Sequence, residues 1–152
     1  MVEHIARTPR YELPNGVFHV TTRGVDRTSI YRDAEDRRTF LALLVSVVRR
    51  WSWHLHAVCL MGNHYHLVTE TTCERLSLGM HRLNGVYALR FNRRYVRSGH
   101  LFGDRFHAYV IDSDDYLADA CRYVVNNPVR AGLCEHARDW PWTGSRYGLD
   151  DA

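Results

Sequence analysis

Leu60-Met61-Gly62-Asn63-His64-Tyr65-His66-Leu67-Val68 is the stretch that decides how this chain is read. Gly62-Asn63 is a tight-turn signal between two apolar runs, so Trp53 to Met61 and His64 to about Thr69 are expected to pair as a hairpin. Side chains alternate along a strand, which puts His64 and His66 on one face, their Cα atoms roughly 6–7 Å apart, and Tyr65 on the other. Two imidazoles so placed can converge on one cation. They can equally be two histidines of a half-buried strand, and the spacing alone leaves both readings open.

The flanking sequence supplies the rest of a sheet. Before the hairpin, Val17 to Thr22 is β-branched and aromatic and reads as a first strand ending at Arg23-Gly24. Asp33, with Asp36 three residues on, reads as an N-cap. Phe40, Leu43, Leu44, Val47 and Trp51 then recur at helical spacing. After the hairpin, Glu74 to about Arg97 is a second helix, with Leu76, Met80, Leu83, Tyr87 and Phe91 as its apolar stripe, interrupted by Gly79 and Gly85. Ser98-Gly99-His100 breaks it, and Phe106 to Ile111 reads as a fourth strand. A third helix, capped by Asp112 or Ser113, runs to about Asn126, and Pro128 is expected to end it. Residues 1–16, punctuated by Pro9, Pro14 and Asn15-Gly16, read as a polar arm, and 134–152 as a tail of irregular structure packed by Trp140 and Trp142. The order β-α-β-β-α-β-α predicts an α+β fold: a ferredoxin-like β-α-β-β-α-β antiparallel sheet with an added C-terminal helix.

With 152 residues, 45% of them hydrophobic and 24% charged, the whole of 1–152 is expected to form one domain. All twenty basic residues are arginine, the side chain suited to bidentate phosphate contacts and to stacking on bases, and the net charge is +3. Arg90, Arg93, Arg94, Arg97 and Arg105 bunch together; they form either a solvated, salt-bridged helix face or a track for a polyanion. The cysteines at 59, 73, 121 and 134 form no C-x-x-C pair, so neither a zinc knuckle nor a redox motif is spelled out. No apolar run approaches the roughly 18 residues of a membrane span and no secretory leader is seen, so the expected location is cytoplasmic.

The third helix carries the partners for the histidines. Tyr123 and Asn127 are four apart and share a helical face if the helix persists through its last turn. If that face meets the open side of the histidine strand, His64, His66 and Asn127 make a three-ligand cation site with Tyr123 beside it. A cation there would polarise a phosphodiester while the phenol oxygen attacks phosphorus. The plainer alternative is a core tyrosine and a helix cap. With nine tyrosines in the chain, spacing does not choose among them.

Ordered blocks through nearly the whole chain carry a resemblance. They are Phe18-His19-Val20-Thr21-Thr22-Arg23-Gly24, Ile30-Tyr31, Asp36 to Phe40, His56 to Val68, Arg82 to Tyr87, Phe91 to Arg94, Ser98 to Phe102, Arg105-Phe106, Tyr123 to Leu133 and Asp139 to Trp142. In these the chain resembles the IS200-like, single-tyrosine transposases of the HUH class, and within them the subgroup associated with repetitive extragenic palindromes (REP). The resemblance implies a metal-dependent enzyme that cleaves and rejoins single-stranded DNA at hairpins through a 5′-phosphotyrosine, with Mg²⁺ or Mn²⁺. By position it implies Tyr123 as nucleophile and His64, His66 and Asn127 as metal ligands. Arg23, Arg90, Arg93, Arg94 and Arg105 are then expected on the DNA, in a monomer or a homodimer. Gly62 stands where that family commonly has proline, and Gly103-Asp104 replaces its Gln-containing pair. A domesticated protein that binds hairpins with little or no strand transfer is the competing expectation.

Overall fold

The computed structural model describes residues 2–4 and 16–149. Its strands are β1 (Val2–His4), β2 (Gly16–Arg23), β3 (His54–Leu60), β4 (His64–Thr71), β5 (His107–Ile111) and β6 (Thr143–Ser145). The α-helices are α1 (Ala34–Arg50), α2 (Cys73–Arg94), α3 (Asp114–Val125) and the one-turn α4 (Asn127–Arg130). All strand pairs are antiparallel, in the order β1-β5-β2-β4-β3-β6. The inner four strands with α1 and α2 make the expected ferredoxin-like unit.

Strand parity divides the molecule into two layers. Phe18 and Val20 of β2, Leu60 of β3, and Tyr65 and Leu67 of β4 face α1 and α2, packing with Phe40, Leu44, Met80, Leu83, Tyr87 and Phe91. Ala57, Cys59 and Val68 face the other way, onto Leu117, Ala120, Cys121 and Val124 of α3. Each large side chain fully buried in these layers contributes about 1.5–3 kcal/mol relative to exposure. Tyr65 is fully buried, 4.6 Å from the Phe40 ring, and its hydroxyl donates to Asn84 Oδ1, so a polar tip is satisfied inside an apolar layer. A bulge between Leu55 and Ala57 resets the parity of β3 around the buried His56.

The helix signals act as read. Asp33 Oδ1 accepts from Asp36 N at 2.9 Å at the start of α1, and Thr72 and Ser113 cap α2 and α3 in the same way. Buried Leu117, Ala120, Cys121, Val124 and Val125 give α3 one apolar stripe against the sheet.

Three expectations need correction. The polar arm contains β1, which pairs with β5 at one sheet edge; Pro9, Pro14 and Asn15 lie outside the described residues, while Gly16 already belongs to β2. The tail contains β6, which pairs with β3 at the other edge. Both are three-residue strands whose hydrogen bonds come from a preformed neighbour, so no alternation of their own marks them. Finally, α3 ends at Val125 with Asn126 as its cap, as expected, but helical structure resumes beyond it through Pro128. The chain breaks for one residue at Asn126 and restarts as α4, where Pro128 sits in the first turn and its missing N–H costs nothing.

The tail tryptophans cover the fold. Trp140 Nε1 donates to Leu60 O at 2.9 Å, Leu60 N donates to Trp142 O at 2.8 Å, and the Arg37 guanidinium lies 5.7 Å from each indole. The hairpin turn is pinned even without proline: Gly62 O accepts from Ile30 N at 3.0 Å.

Gly79 shows how closely α1 and α2 approach. A Cβ there would collide with the indole of Trp53 and lie 2.9 Å from Val47 Cγ1. Gly79→Ala gains up to about 1 kcal/mol of helix propensity but overpacks a buried contact, at a cost of about 1–3 kcal/mol. A net destabilisation is expected in urea unfolding; an unchanged or raised midpoint would show that the Trp53 contact yields freely.

Candidate active site

The face of the sheet opposite α1 and α2 carries a cleft of about 570 Å³, walled by β2, β4, β5 and α3. His19, Thr21 and Arg23 of β2 line it with His66, Tyr109, and Tyr116, Asp119, Ala120 and Tyr123 of α3. On α3 the lining residues follow at i, i+3, i+4 and i+7, the flank next to the buried stripe. The helix is therefore held by its apolar face while Tyr123 stays 52% exposed at the cleft edge.

His64 and His66 share this face as expected, with ring centroids 5.1 Å apart, and Tyr65 points away. The Tyr123 ring stands edge-on to His66 at 6.4 Å and to His19 at 5.9 Å. His64 Nδ1 is 2.7 Å from Asn63 Oδ1, and His66 Nδ1 is 2.9 Å from His19 Nε2. Burial holds all three imidazoles unprotonated near neutrality. It brings His66 down to about 2, helped by His19 and His64, His64 down to about 4, helped by Arg23, and His19 down to about 4. Each ring therefore keeps a lone pair at pH 7.

Asn127 opens α4, one residue past the end of α3, with Asn126 as the shared cap. Its Nδ2 is buried without a hydrogen-bond partner. Among the described residues no three His, Cys, Asp or Glu side chains gather into a metal-holding group. A cation on the two histidines would take a further donor from outside those residue types, and the Asn127 carboxamide, whose unpartnered Nδ2 position its oxygen can occupy after a half-turn of the plane, has the chemistry for it.

The arginines separate into groups. Arg23 is the last residue of β2, paired in register with His64, and lines the cleft. Arg90 and Arg93 are exposed on α2, across the sheet from the cleft, and Arg105 borders a groove of about 540 Å³ between α2 and the 99–106 loop. Arg94 is held by α1: its Nη1 is 2.6 Å from Asp36 Oδ1, and its Nη2 is 2.7 Å from Asp33 Oδ2 and 3.0 Å from Glu35 Oε2. Asp36 is buried and also accepts from Tyr95 Oη at 2.6 Å. The hydrogen bond from Arg94 holds the Asp33 carboxyl below its usual range. Arg94→Ala should therefore lower the melting temperature by stranding a buried carboxylate, whereas Arg90→Ala and Arg93→Ala should leave it unchanged. Thermal melts decide this, and equal melts for all three variants would refute the structural role of Arg94.

Thr21, Tyr109, Tyr116 and Asp119 line the cleft without having been singled out in the sequence, and two residues against the Tyr123 ring, His19 and Arg130, were missed as well. His19 alternates with Phe18 and Val20, so its face was legible, but its neighbour across β4 was not. Arg130 places its guanidinium carbon 3.8 Å above the Tyr123 ring and donates from Nη2 to Tyr123 O at 2.7 Å. Its place seven residues beyond Tyr123 signals that contact only if helical geometry resumes after Asn126.

An antiparallel ferredoxin-like sheet with a histidine-lined face and an overlying tyrosine helix defines the structural class. The chain belongs to the IS200-like transposase family, whose model matches residues 13–127. It is 22% identical over 139 residues to a Haemophilus influenzae protein assigned as a REP-associated tyrosine transposase, covering 84% of this chain and 78% of the relative. Its fold is similar to that of a REP-associated tyrosine transposase solved bound to a REP hairpin, with TM-score 0.69 and 17% identity over 89% of this chain and 79% of the other. A Deinococcus radiodurans crystal structure assigned as a transposase matches with TM-score 0.52 and 17% identity, covering 76% of this chain and 93% of that one. Among the described residues no helix is long and apolar enough to cross a membrane.

Proposed function

We propose that this protein cleaves and rejoins single-stranded DNA at hairpins formed by palindromic repeats, with Tyr123 as the nucleophile. The observation that carries this reading is a half-exposed phenol whose ring stands edge-on to His66 and His19 in the cleft, with the His64 ring 5.1 Å from that of His66. Family membership and the hairpin-bound relative supply the substrate class.

In this reading Tyr123 Oη forms a bond to phosphorus, the P–O3′ bond breaks, the phenolic proton is lost and the 3′ oxygen gains one. The products are a 5′-phosphotyrosine and a 3′-hydroxyl. Reversal with a second 3′-hydroxyl rejoins the strand without an external energy source. His64, His66 and Asn127 fit a divalent cation by donor chemistry: two imidazoles that burial keeps unprotonated and a carboxamide whose Nδ2 is buried without a partner. Bound there, Mg²⁺ or Mn²⁺ would supply Lewis-acid polarisation of the phosphoryl oxygens, and imidazole ligation suits Mn²⁺ better. Arg130 holds the tyrosine ring and main chain in place. Arg23 lies at the cleft for a phosphate, and exposed Arg90, Arg93 and Arg105 are available to DNA beyond it. α3 packs on the sheet of its own chain, so Tyr123 and the histidines can act within one protomer, in a monomer or in a homodimer.

The test is a denaturing gel with hairpin oligonucleotides carrying single-stranded flanks, incubated with Mn²⁺, Mg²⁺ or chelator. A protein–DNA adduct that survives denaturation and depends on metal is expected. Hairpin binding with no adduct under any metal would replace the enzyme with a binding protein.

A further inference from the structure

We propose that His19 is a positioning residue that holds His66 in the one tautomer able to offer Nε2 to a cation. The inference rests on the metal reading above. β2 and β4 are antiparallel neighbours in which Thr21 faces His66 and His19 faces Val68, so His19 and His66 are diagonal neighbours on the cleft side. Their rings lie 5.1 Å apart with His19 Nε2 2.9 Å from His66 Nδ1, and the two residues are 7% and 8% exposed. Both side chains are therefore largely shielded from solvent.

Two neutral imidazoles can share only one proton at such a contact. If His19 Nε2–H donates, the proton of His66 sits on Nε2 and no lone pair faces the cleft. If His66 Nδ1–H donates, its Nε2 is free and His19 accepts, with its own proton on Nδ1. Only the second arrangement is competent, and an acceptor behind a ligating histidine also raises its basicity. The Tyr109 and Tyr123 rings, 5.7 and 5.9 Å from the His19 ring, fix the plane of the acceptor.

The experiment compares wild type, His19→Gln and His19→Phe, with His19→Leu as a second variant lacking the acceptor should the phenylalanine not fold. Long-range ¹H–¹⁵N spectra of the metal-free proteins read the His66 tautomer. Mn²⁺ titration reads affinity, and electron spin-echo modulation counts the imidazoles on Mn²⁺. Wild type should show His66 protonated at Nδ1 and two imidazoles on the metal. Glutamine can present an oxygen where Nε2 stood and should keep both the tautomer and a dissociation constant within about threefold. The apolar variants should shift His66 toward Nε2–H and weaken Mn²⁺ by about 10–100-fold. An unchanged tautomer and affinity in the apolar variants would overturn the proposal, as would a third imidazole on Mn²⁺ that disappears with His19. If wild type binds no Mn²⁺, the metal reading fails. The tautomer spectra then still decide whether His19 sets the state of His66.

Discussion

Tyr123→Phe is expected to abolish the covalent protein–DNA adduct, lowering cleavage by at least about 10³-fold, while hairpin binding stays within about twofold of wild type. The substitution deletes one oxygen and keeps the ring. That ring makes the contacts that hold it: the Arg130 guanidinium at 3.8 Å, and His19 and His66 edge-on at 5.9 and 6.4 Å. Arg130 bonds the main-chain carbonyl of residue 123, which phenylalanine also presents. The side chain is 52% exposed, so loss of the hydroxyl leaves no buried cavity and thermal melts should coincide. A gel assay on a hairpin substrate reads the adduct, and filter binding reads affinity. An adduct of undiminished yield in the variant would mean that another nucleophile does the chemistry. Tyr109 and Tyr116, which line the same cleft, would be the next to substitute. If wild type and variant bind alike and neither cleaves, the domesticated binder becomes the better account.

The four inner strands and three long helices were legible because each buries a face with its own period. The histidine parity followed from the same rule: once Tyr65 faces Phe40, His64 and His66 must face α3. What was not legible depended on partners distant in sequence. β1 and β6 exist because β5 and β3 offer edges, and Thr143-Gly144-Ser145 has no apolar alternation to announce it. The role of His19 depends on the register between β2 and β4, which no local pattern encodes. The arginine-rich helix illustrates the limit most clearly. Arg90, Arg93 and Arg94 look alike in sequence, yet the acidic first turn of α1 holds Arg94 in an ion-pair cluster and leaves the other two facing solvent.

Replacing His66 by alanine is expected to lower metal-dependent cleavage by about 10³-fold or more and to weaken Mn²⁺ beyond easy titration, because the proposed cation site loses one of its two imidazole donors. The pH dependence of Mn²⁺ binding by wild type is the finer readout. An ordinary histidine, at 6.5, surrenders its lone pair to a proton as pH falls below neutrality; here burial has moved His64 to about 4 and His66 to about 2. Proton competition should therefore be absent at pH 7 and set in only below roughly pH 5, so Mn²⁺ affinity should be nearly flat between about pH 5.5 and 7.5. Stability moves over a different window. The unfolded histidines take up protons as pH falls below 6.5, and the folded ones do not until near their lowered values, so acid favours unfolding. The contribution is complete above about pH 6.5 and is lost progressively toward pH 4, which should appear as a melting temperature that falls with acid. His19→Gln, with no proton to gain, should flatten part of that fall. A Mn²⁺ affinity that drops steeply through pH 6.5 would instead show that the pair is hydrated and ordinary, and the buried-imidazole account of the site would have to be abandoned.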